Sequence, residues 1–407
     1  MRLAVIVTEY PKTTETFILR DLMTFLEAGV ELRVYHVAPY RDTEILHDFA
    51  QPTRALARHH ALFGAKALRA VLRRPLFSIG KAWQILRAQW AEPVLALKSL
   101  AILPQACAVA EDLTEWGADH IHAEFAGHPA TVAWIAGRRS ATPYSVSCRA
   151  HDIFRSQSLL REKLGNAAFS RTVSEFGRSF LLKRVTGLHP DRIHVIHSSV
   201  DVDRIPKLGP PDVDTFHALY VGSLQPRKGV DTLLTALSKL EMPEWRCSIA
   251  GEGPDRGALE AQSTKLGLTD RVSFLGKQDF QAISDLYRSA SVVIAPSRIG
   301  PKGRTEGIPN VMIEALAYCR PAISTSVSGI PELIRNGETG FLIEPDDPEA
   351  LRATITAIHD DPDGSYRIAC GGRAFVESAF DLKKNAHRQL ALFEQNRRTG
   401  ATGRRAK

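Results

Sequence analysis

The strongest constraint on this chain is an alternation. In its second half, short apolar runs at residues 218–222, 247–250, 272–275, 292–295 and 322–325 alternate with helix-period patterns at 232–240, 258–266, 282–289 and 311–318. A chain that repeats strand, helix, strand in this way buries its strands in a parallel sheet with helices on both faces. The first half follows the same rule, with strand candidates at 3–7, 34–37, 120–123, 145–148, 172–174 and 193–196. Between the first two, Phe17, Ile18, Leu22, Phe25 and Leu26 recur at helical spacing until Gly29, a stop signal. A chain of 407 residues with 44% hydrophobic content exceeds what one compact core absorbs. The proline-rich polar run PKLGPPDVD at 206–214 reads as the linker between two domains. The expected architecture is α/β: two Rossmann-like, doubly wound parallel-sheet domains, residues 1–205 (with a basic helical stretch at 51–105) and 206–380, separated by a cleft. Residues 381–407 read as a helix packing back toward the first domain, followed by a disordered basic tail.

Composition excludes several classes. Charged residues at 24% and aromatics at 7% are ordinary for a globular chain and unlike a disordered or fibrous one. The apolar run 3–7 is too short for a signal peptide, and the stretch 93–110 carries Lys98 and Pro104, so neither reads as a leader or a spanning helix. A cytoplasmic location is the expectation. The five cysteines are scattered without metal or dithiol spacing and read as buried, reduced thiols. His120, His122 and His128 match no metal motif, and the DVD runs at 201–203 and 212–214 flank the linker as turn and cap residues. No metal site and no cofactor is expected.

The net charge of +7 is unevenly placed: in residues 51–105 nine Lys and Arg face Glu92 alone, a local charge of +8. Such a stretch suits an anionic partner, here the inner face of a membrane, while a solvated helical surface is an equally open reading. Nucleic acid is not expected, because no aromatic-studded recognition module accompanies the charge.

Chemistry concentrates in two loops that follow strands. After SVVIAPS come Glu306, Gly307, Ile308, Pro309, Asn310 and, about one helical turn further, Glu314. Pro309 suits a first helical turn and Asn310 a cap, so a helix is expected to start there with Glu306 left on the loop. Two carboxylates flanking a helix N-terminus can accept hydrogen bonds from sugar hydroxyls while the N–H groups hold a phosphate. After HALYVGSL come Ser223, Arg227 and Lys228, two adjacent cations at a strand-to-helix turn that can clamp a diphosphate. Taken singly, each of these residues also reads as an ordinary surface charge.

The motifs VGSLQPRKGVDTLL, IAGEGPDRGALE, VSFLGK, EGIPNVMIEALA and SVSGIPELIRNGETGFLIEPDDPEAL resemble, in order and spacing, the retaining glycosyltransferases of the GT-B fold, the large group called family 4. The likeness is dense over residues 219–351 and looser at PKTTETFILRDL, HIHAEFAGHPAT, SCRAHDIF, RTVSEFGRSFL and IHVIHSSVD. It implies a nucleotide diphosphate sugar as donor and transfer with retention of configuration. Arg227 and Lys228 would hold the diphosphate and Glu314 the ribose. Glu306 and His151 would meet the sugar, making His151, Glu306, Arg227 and Lys228 the catalytic candidates. Ser223, Gly251 and the stretch Gly307, Ile308, Pro309, Asn310 would complete the donor site. Many relatives have a glycine pair in the first strand-to-helix loop. This chain reads TEYPKTTETF there, so Thr14, Glu15 and Thr16 are the candidates for a phosphate or acceptor loop. With two cations to hold the diphosphate, no divalent ion is required. The flavour resembles bacterial exopolysaccharide, colanic-acid-type and lipopolysaccharide assembly enzymes, which implies a glycan or lipid-linked acceptor.

Two other classes remain. A nicotinamide dehydrogenase would also use two Rossmann-like halves, but LAVIVTEYPKTTET has no G-x-G-x-x-G after its first strand. A non-catalytic nucleotide-sugar-binding or scaffold protein could keep the fold, although Arg227, Lys228, Glu306 and Glu314 all being present argues against decay.

Overall fold

The computed structural model describes residues 1–12, 15–40, 48–211, 215–303 and 305–398, with backbone only for 48–50, 150, 151 and 302. The chain divides into two compact units. The first unit comprises Met1–Val173, Gly177–Ile196 and the chain from Ala386, and the second comprises Ser174–Phe176 and His197–Asn385. The DVD run at 212–214 and the tail from 399 lie outside the described residues.

The strands of the first unit are β1 (Arg2–Val7), β2 (Glu31–His36), β3 (Ala57–Arg58), β4 (His120–Glu124), β5 (Tyr144–Cys148), β6 (Phe169–Thr172) and β7 (Ile193–Val195). They form one sheet of order β3-β2-β1-β4-β5-β6-β7, every pair parallel. The sixth strand starts earlier than the 172–174 reading because Phe169 is the residue in register with Ser145 of β5. The helices are α1 (Thr16–Glu27), α2 (Ala65–Arg73), α3 (Pro75–Ala88), α4 (Pro93–Trp116), α5 (His128–Ser140), α6 (Ala150–Ile153), α7 (Leu160–Gly165) and α8 (Glu175–Arg184). The period of two along β1 decides its packing. Ala4 and Ile6 join the core shared with α4 and α5, while Leu3, Val5 and Val7 join the opposite core with Phe25 of α1 and Phe393.

Two features of this unit bear on the sequence reading. Residues 93–110, read as too interrupted by Lys98 and Pro104 for a spanning helix, belong to α4, which runs for 24 residues through Pro104 and stops at Gly117, in the left-handed region at φ 74°. By length and apolar content α4 is sufficient to cross a membrane, but over half of its most apolar window is buried inside the unit, with Ala106, Val109, Ala110 and Leu113 in the core beside α5. Lys81, counted among the cations of the basic stretch, is turned inward: its Nζ lies 3.8 Å from the centroid of the Trp134 ring and donates to Gln84. Burial first, with the nearby Arg138 charge, lowers the Lys81 pKa to about 8.

The second unit contains β8 (Phe216–Val221), β9 (Trp245–Ala250), β10 (Val272–Gly276), β11 (Val292–Ala295), β12 (Ala322–Thr325) and β13 (Phe341–Ile343). Their order is β10-β9-β8-β11-β12-β13, again parallel throughout. The helices are α9 (Val230–Leu237), α10 (Arg256–Lys265), α11 (Phe280–Ser289), α12 (Asn310–Ala317), α13 (Pro348–Asp360), α14 (Pro362–Ala379) and α15 (Leu382–Gln395), the last continuing into the first unit. Val292 and Ile294 enter one core and Val293 and Ala295 the other, so this sheet too is buried on both faces. Of the cysteines, Cys107, Cys148, Cys247 and Cys319 are buried and free, and Cys370 is half-buried.

Candidate functional site

In an open parallel sheet the ligand crevice forms beyond the carboxyl ends of the strands where the strand order reverses. In the second unit that point lies between β8 and β11, since β9 and β10 extend the sheet to one side and β12 and β13 to the other. The loops leaving β8 and β11 carry both clusters singled out in the sequence.

After β8 the chain makes a single 3-10 turn at Pro226–Lys228 and enters α9 through Gly229, whose φ is +67°. A Cβ on Gly229 would lie 1.9 Å from the carbonyl oxygen of Pro296, so only glycine lets the two loops approach. Gly251, at the end of β9, is under a similar demand: a Cβ there would fall 1.8 Å from the Gly222 carbonyl oxygen. Arg298 ties these loops together. Its backbone N–H donates to Arg227 O at 2.9 Å and its Nε donates to Pro226 O at 2.7 Å. Its other nitrogens meet Asp346 at 2.7 Å and Asp231 at 2.5 Å.

Glu306 stands on the loop before α12 and bridges the two cations, Oε1 at 2.7 Å from Arg227 Nε and Oε2 at 3.0 Å from Lys228 Nζ. Arg227 also donates to the Gln225 side chain. Burial alone would raise the Glu306 pKa, but the Lys228 and Arg227 charges hold it below the ordinary carboxylate value. The arrangement keeps two positive charges and one negative charge in a half-buried place, a net cationic site suited to a diphosphate.

The remaining donor-site candidates distribute as follows. Helix α12 begins at Asn310 with Pro309 preceding it in extended conformation, so Asn310 is its first helical residue rather than the cap. A proline with ψ 126° ends the extended segment, which displaces the helix start by one residue. Ile308 and Pro309 are buried, Gly307 is half-buried and Asn310 is exposed. Glu314 accepts a hydrogen bond from Tyr287 Oη at 3.0 Å, which orients its carboxylate. The carbonyl of Ser223 is taken by Tyr220 Oη at 3.0 Å, while its residue is half-buried at the end of β8.

In the first unit, His151 lies in α6 with its side chain outside the described residues, as is Thr14. Thr16 is the first residue of α1. Glu15 occupies the cap position, but its carboxylate pairs with Lys12 Nζ at 2.8 Å instead of capping the helix. Burial raises the Glu15 pKa against the pull of Lys12.

Sequence reasoning missed a buried polar group at the ends of β4 and β5. Glu124 meets Arg149 at 3.2 Å and His122 at 3.3 Å, and the Arg149 guanidinium lies 3.9 Å from the centroid of the Phe17 ring. Asp152 accepts the backbone N–H groups of Ala126 and Arg149, and burial pushes its pKa up to about 6 against those bonds. The chain does carry a signal for it, since SCRAHDIF places Arg149 and Asp152 on either side of His151. His120 and His122 share the Ser145 hydroxyl at 2.8 Å each, which ties them to the sheet. Among the described residues no group of three or more His, Cys, Asp or Glu is arranged to hold a metal.

The class that this architecture defines is the GT-B fold, two parallel-sheet α/β domains. Residues 201–375 match the model of the family described as glycosyl transferases group 1. Anabaena Alr3699/HepE, solved in complex with UDP, is similar over 97% of this chain and 100% of its own, with a TM-score of 0.75 at 19% identity. The D-inositol 3-phosphate glycosyltransferase of Streptomyces scabiei is 28% identical over 64% of this chain and 64% of its own. The chain thus spans less than two thirds of that relative's length. The glycogen synthase of Mycobacterium tuberculosis is 27% identical over 80% of this chain and 71% of its own.

Proposed function

We propose that this chain is a retaining, metal-independent glycosyltransferase that moves a sugar from a nucleotide diphosphate donor to a glycan or lipid-linked acceptor, in bacterial surface polysaccharide synthesis. The observation that carries this reading is the Arg227–Glu306–Lys228 trio at the reversal point of the second sheet, inside the stretch that matches the family model. UDP in the solved Anabaena relative supports a nucleotide diphosphate as the ligand.

In this reading Arg227 and Lys228 hold the diphosphate and stabilise the negative charge that grows on it as the glycosidic bond breaks. Glu306, held between them, accepts from a hydroxyl of the transferred sugar, and Glu314, oriented by Tyr287, accepts from the ribose. N–H groups around Gly307 to Asn310 face the phosphate and hexose. His151 meets the sugar. The two cations supply the charge that a divalent ion would otherwise bring. The protein works in the cytoplasm, and an anionic membrane surface is the peripheral partner that residues 51–105 favour.

Thermal unfolding with a panel of UDP-, GDP- and ADP-sugars tests the donor, because a ligand bound only by the native state raises its stability with the logarithm of occupancy. One nucleotide series is expected to stabilise, and transfer is expected to survive EDTA. No stabilisation by any member of the panel overturns the donor assignment, and activity lost to chelation and restored by magnesium or manganese overturns metal independence.

A further inference from the structure

Helix α3 carries apolar side chains on two sides. On its covered side Ile85 is buried and Phe77, Ala82 and Ala88 pack against the core of the first unit, with Ser78 and Lys81 buried beside them. Leu76, Ile79, Trp83 and Leu86 recur at helical spacing on the other side, and all four are exposed, Leu76 to 84%. An apolar stripe on the side opposite the core is expected where that side, too, is out of water. Exposed apolar side chains also stand on the elements that flank it in the chain: Leu68 and Leu72 on α2, Trp90 in the following turn at 82% exposure, and Val94 and Leu97 at the start of α4. Among the described residues, ten of the fourteen exposed large apolar side chains fall between Phe63 and Leu97. One contiguous stretch of chain therefore concentrates apolar surface that a water-facing protein scatters.

The charge around this face is mainly positive. Lys66, Arg69, Arg73, Arg87 and Lys98 are exposed on the same three helices, and Glu92 is the one carboxylate between residues 51 and 105. The Arg87 guanidinium lies 5.4 Å from the centroid of the Trp83 ring. On α2 the cations Lys66, Arg69 and Arg73 line a groove of about 720 Å³ together with Arg74 and Arg139, against Glu111 and Glu115. A second copy of this chain is a poor occupant, because a two-fold interface would set this cationic rim against itself. An anionic bilayer satisfies both features at once: acyl chains for the stripe, headgroup phosphates for the rim, and the interfacial region for two exposed tryptophans.

We infer that α2, α3 and the first turns of α4 form a lipid-inserting face, with Leu72, Leu76, Ile79, Trp83 and Leu86 entering the acyl boundary of an anionic bilayer and Lys66, Arg69, Arg87 and Lys98 at its headgroups. This deepens the peripheral contact proposed above, on which it rests for the sign of the lipid, and is independent of the donor chemistry. Insertion rather than charge alone holds the protein, so high salt weakens binding without abolishing it.

The test is flotation of the full chain with vesicles of phosphatidylcholine containing about a third phosphatidylglycerol, in low and high salt. The variant Leu72→Ser, Leu76→Ser, Ile79→Ser, Leu86→Ser changes exposed side chains only. It is expected to lose binding more than tenfold while keeping its unfolding temperature and donor nucleotide affinity. A second readout needs no loss of binding. Trp116, Trp134 and Trp245 are buried, so the blue shift of fluorescence on adding vesicles is expected to come from Trp83 and Trp90 and to vanish in Trp83→Phe, Trp90→Phe. If the serine variant floats like wild type, and salt releases both fully, insertion is overturned and a purely electrostatic contact stands. If wild type binds no vesicle at all, the peripheral reading falls with it. If the serine substitutions instead turn a dimer into a monomer, the face belongs to a second copy.

Discussion

Arg298 and Arg227, both cationic, are joined through their backbones: the N–H of Arg298 donates to the Arg227 carbonyl at 2.9 Å, while the Arg298 side chain turns away to Asp231 and Asp346. The contact ties the loop after β11 to the turn after β8, so the guanidinium of Arg227 is left to face Glu306. A residue with no place in the family motifs thereby holds the residues that have one.

The first expected outcome concerns this positioning. Arg298→Ala removes the hydrogen bond to Pro226 O and the links to two carboxylates, and nucleotide affinity should fall by about tenfold, or ~1.4 kcal/mol. Arg298→Lys should rescue little, because an ammonium cannot span the carbonyl and both carboxylates as a planar fork does. Calorimetric titration of both variants decides it; wild-type affinity in Arg298→Ala removes the role.

Glu314→Ala and Arg227→Ala should each weaken nucleotide diphosphate binding by roughly 1.5–3 kcal/mol, the range of charge-assisted hydrogen bonds. Tyr287→Phe, which removes one hydrogen bond to the Glu314 carboxylate without deleting it, should lose less. A folded Glu314→Ala, Arg227→Ala double variant that binds as wild type would remove the donor assignment.

Turnover separates a different pair. His151→Ala and Glu306→Ala should lower kcat by about a hundredfold with smaller effects on nucleotide affinity, as expected of groups that act on the sugar near the reaction centre. Glu306 also carries a pH signature. Its folded pKa lies below the ordinary value of 4.5, so the ion trio stabilises above that value and the contribution is lost as pH falls through the folded pKa. Acid unfolding of Glu306→Gln should show a shallower dependence than wild type below about pH 4.5. Equal slopes would detach the carboxylate from the trio.

His120 should set an acid limit of the same sign that begins at higher pH. Burial first, then the neighbouring His122, lowers its pKa from 6.5 to about 3, so the native state holds it neutral while the unfolded chain takes up a proton below 6.5. Stability is then complete above about pH 6.5 and falls toward pH 3, losing about 2 kcal/mol between pH 7 and pH 5. Denaturant unfolding at the two pH values should show a smaller difference in His120→Asn than in wild type, whatever the absolute cost of that substitution.

Much of the architecture is legible without coordinates because strand and helix periods are local. The runs at 292–295 and 322–325 become β11 and β12 with the same bounds, and the pattern at 282–289 becomes most of α11. Helices α13 and α14 were legible too, and the alternation reading passed them over. In each, an Asp-Pro pair starts the helix, with Asp347 and Asp361 accepting the N–H groups of Ala350 and Gly364.

By itself the sequence determined which residues alternate between the two faces of each sheet, that two such sheets exist, and that Arg227, Lys228, Glu306 and Glu314 lie on loops leaving strands. Tertiary structure alone decided who meets whom. Glu306 lies between cations about eighty residues away because β8 and β11 are neighbours at the reversal of the sheet, a fact of strand order that no local pattern encodes. Periodicity likewise marks two apolar stripes on α3 without saying which one is covered. Packing buries Ile85 and Lys81 and leaves Leu76 and Trp83 in water, since burial depends on which neighbour the rest of the fold brings to each side.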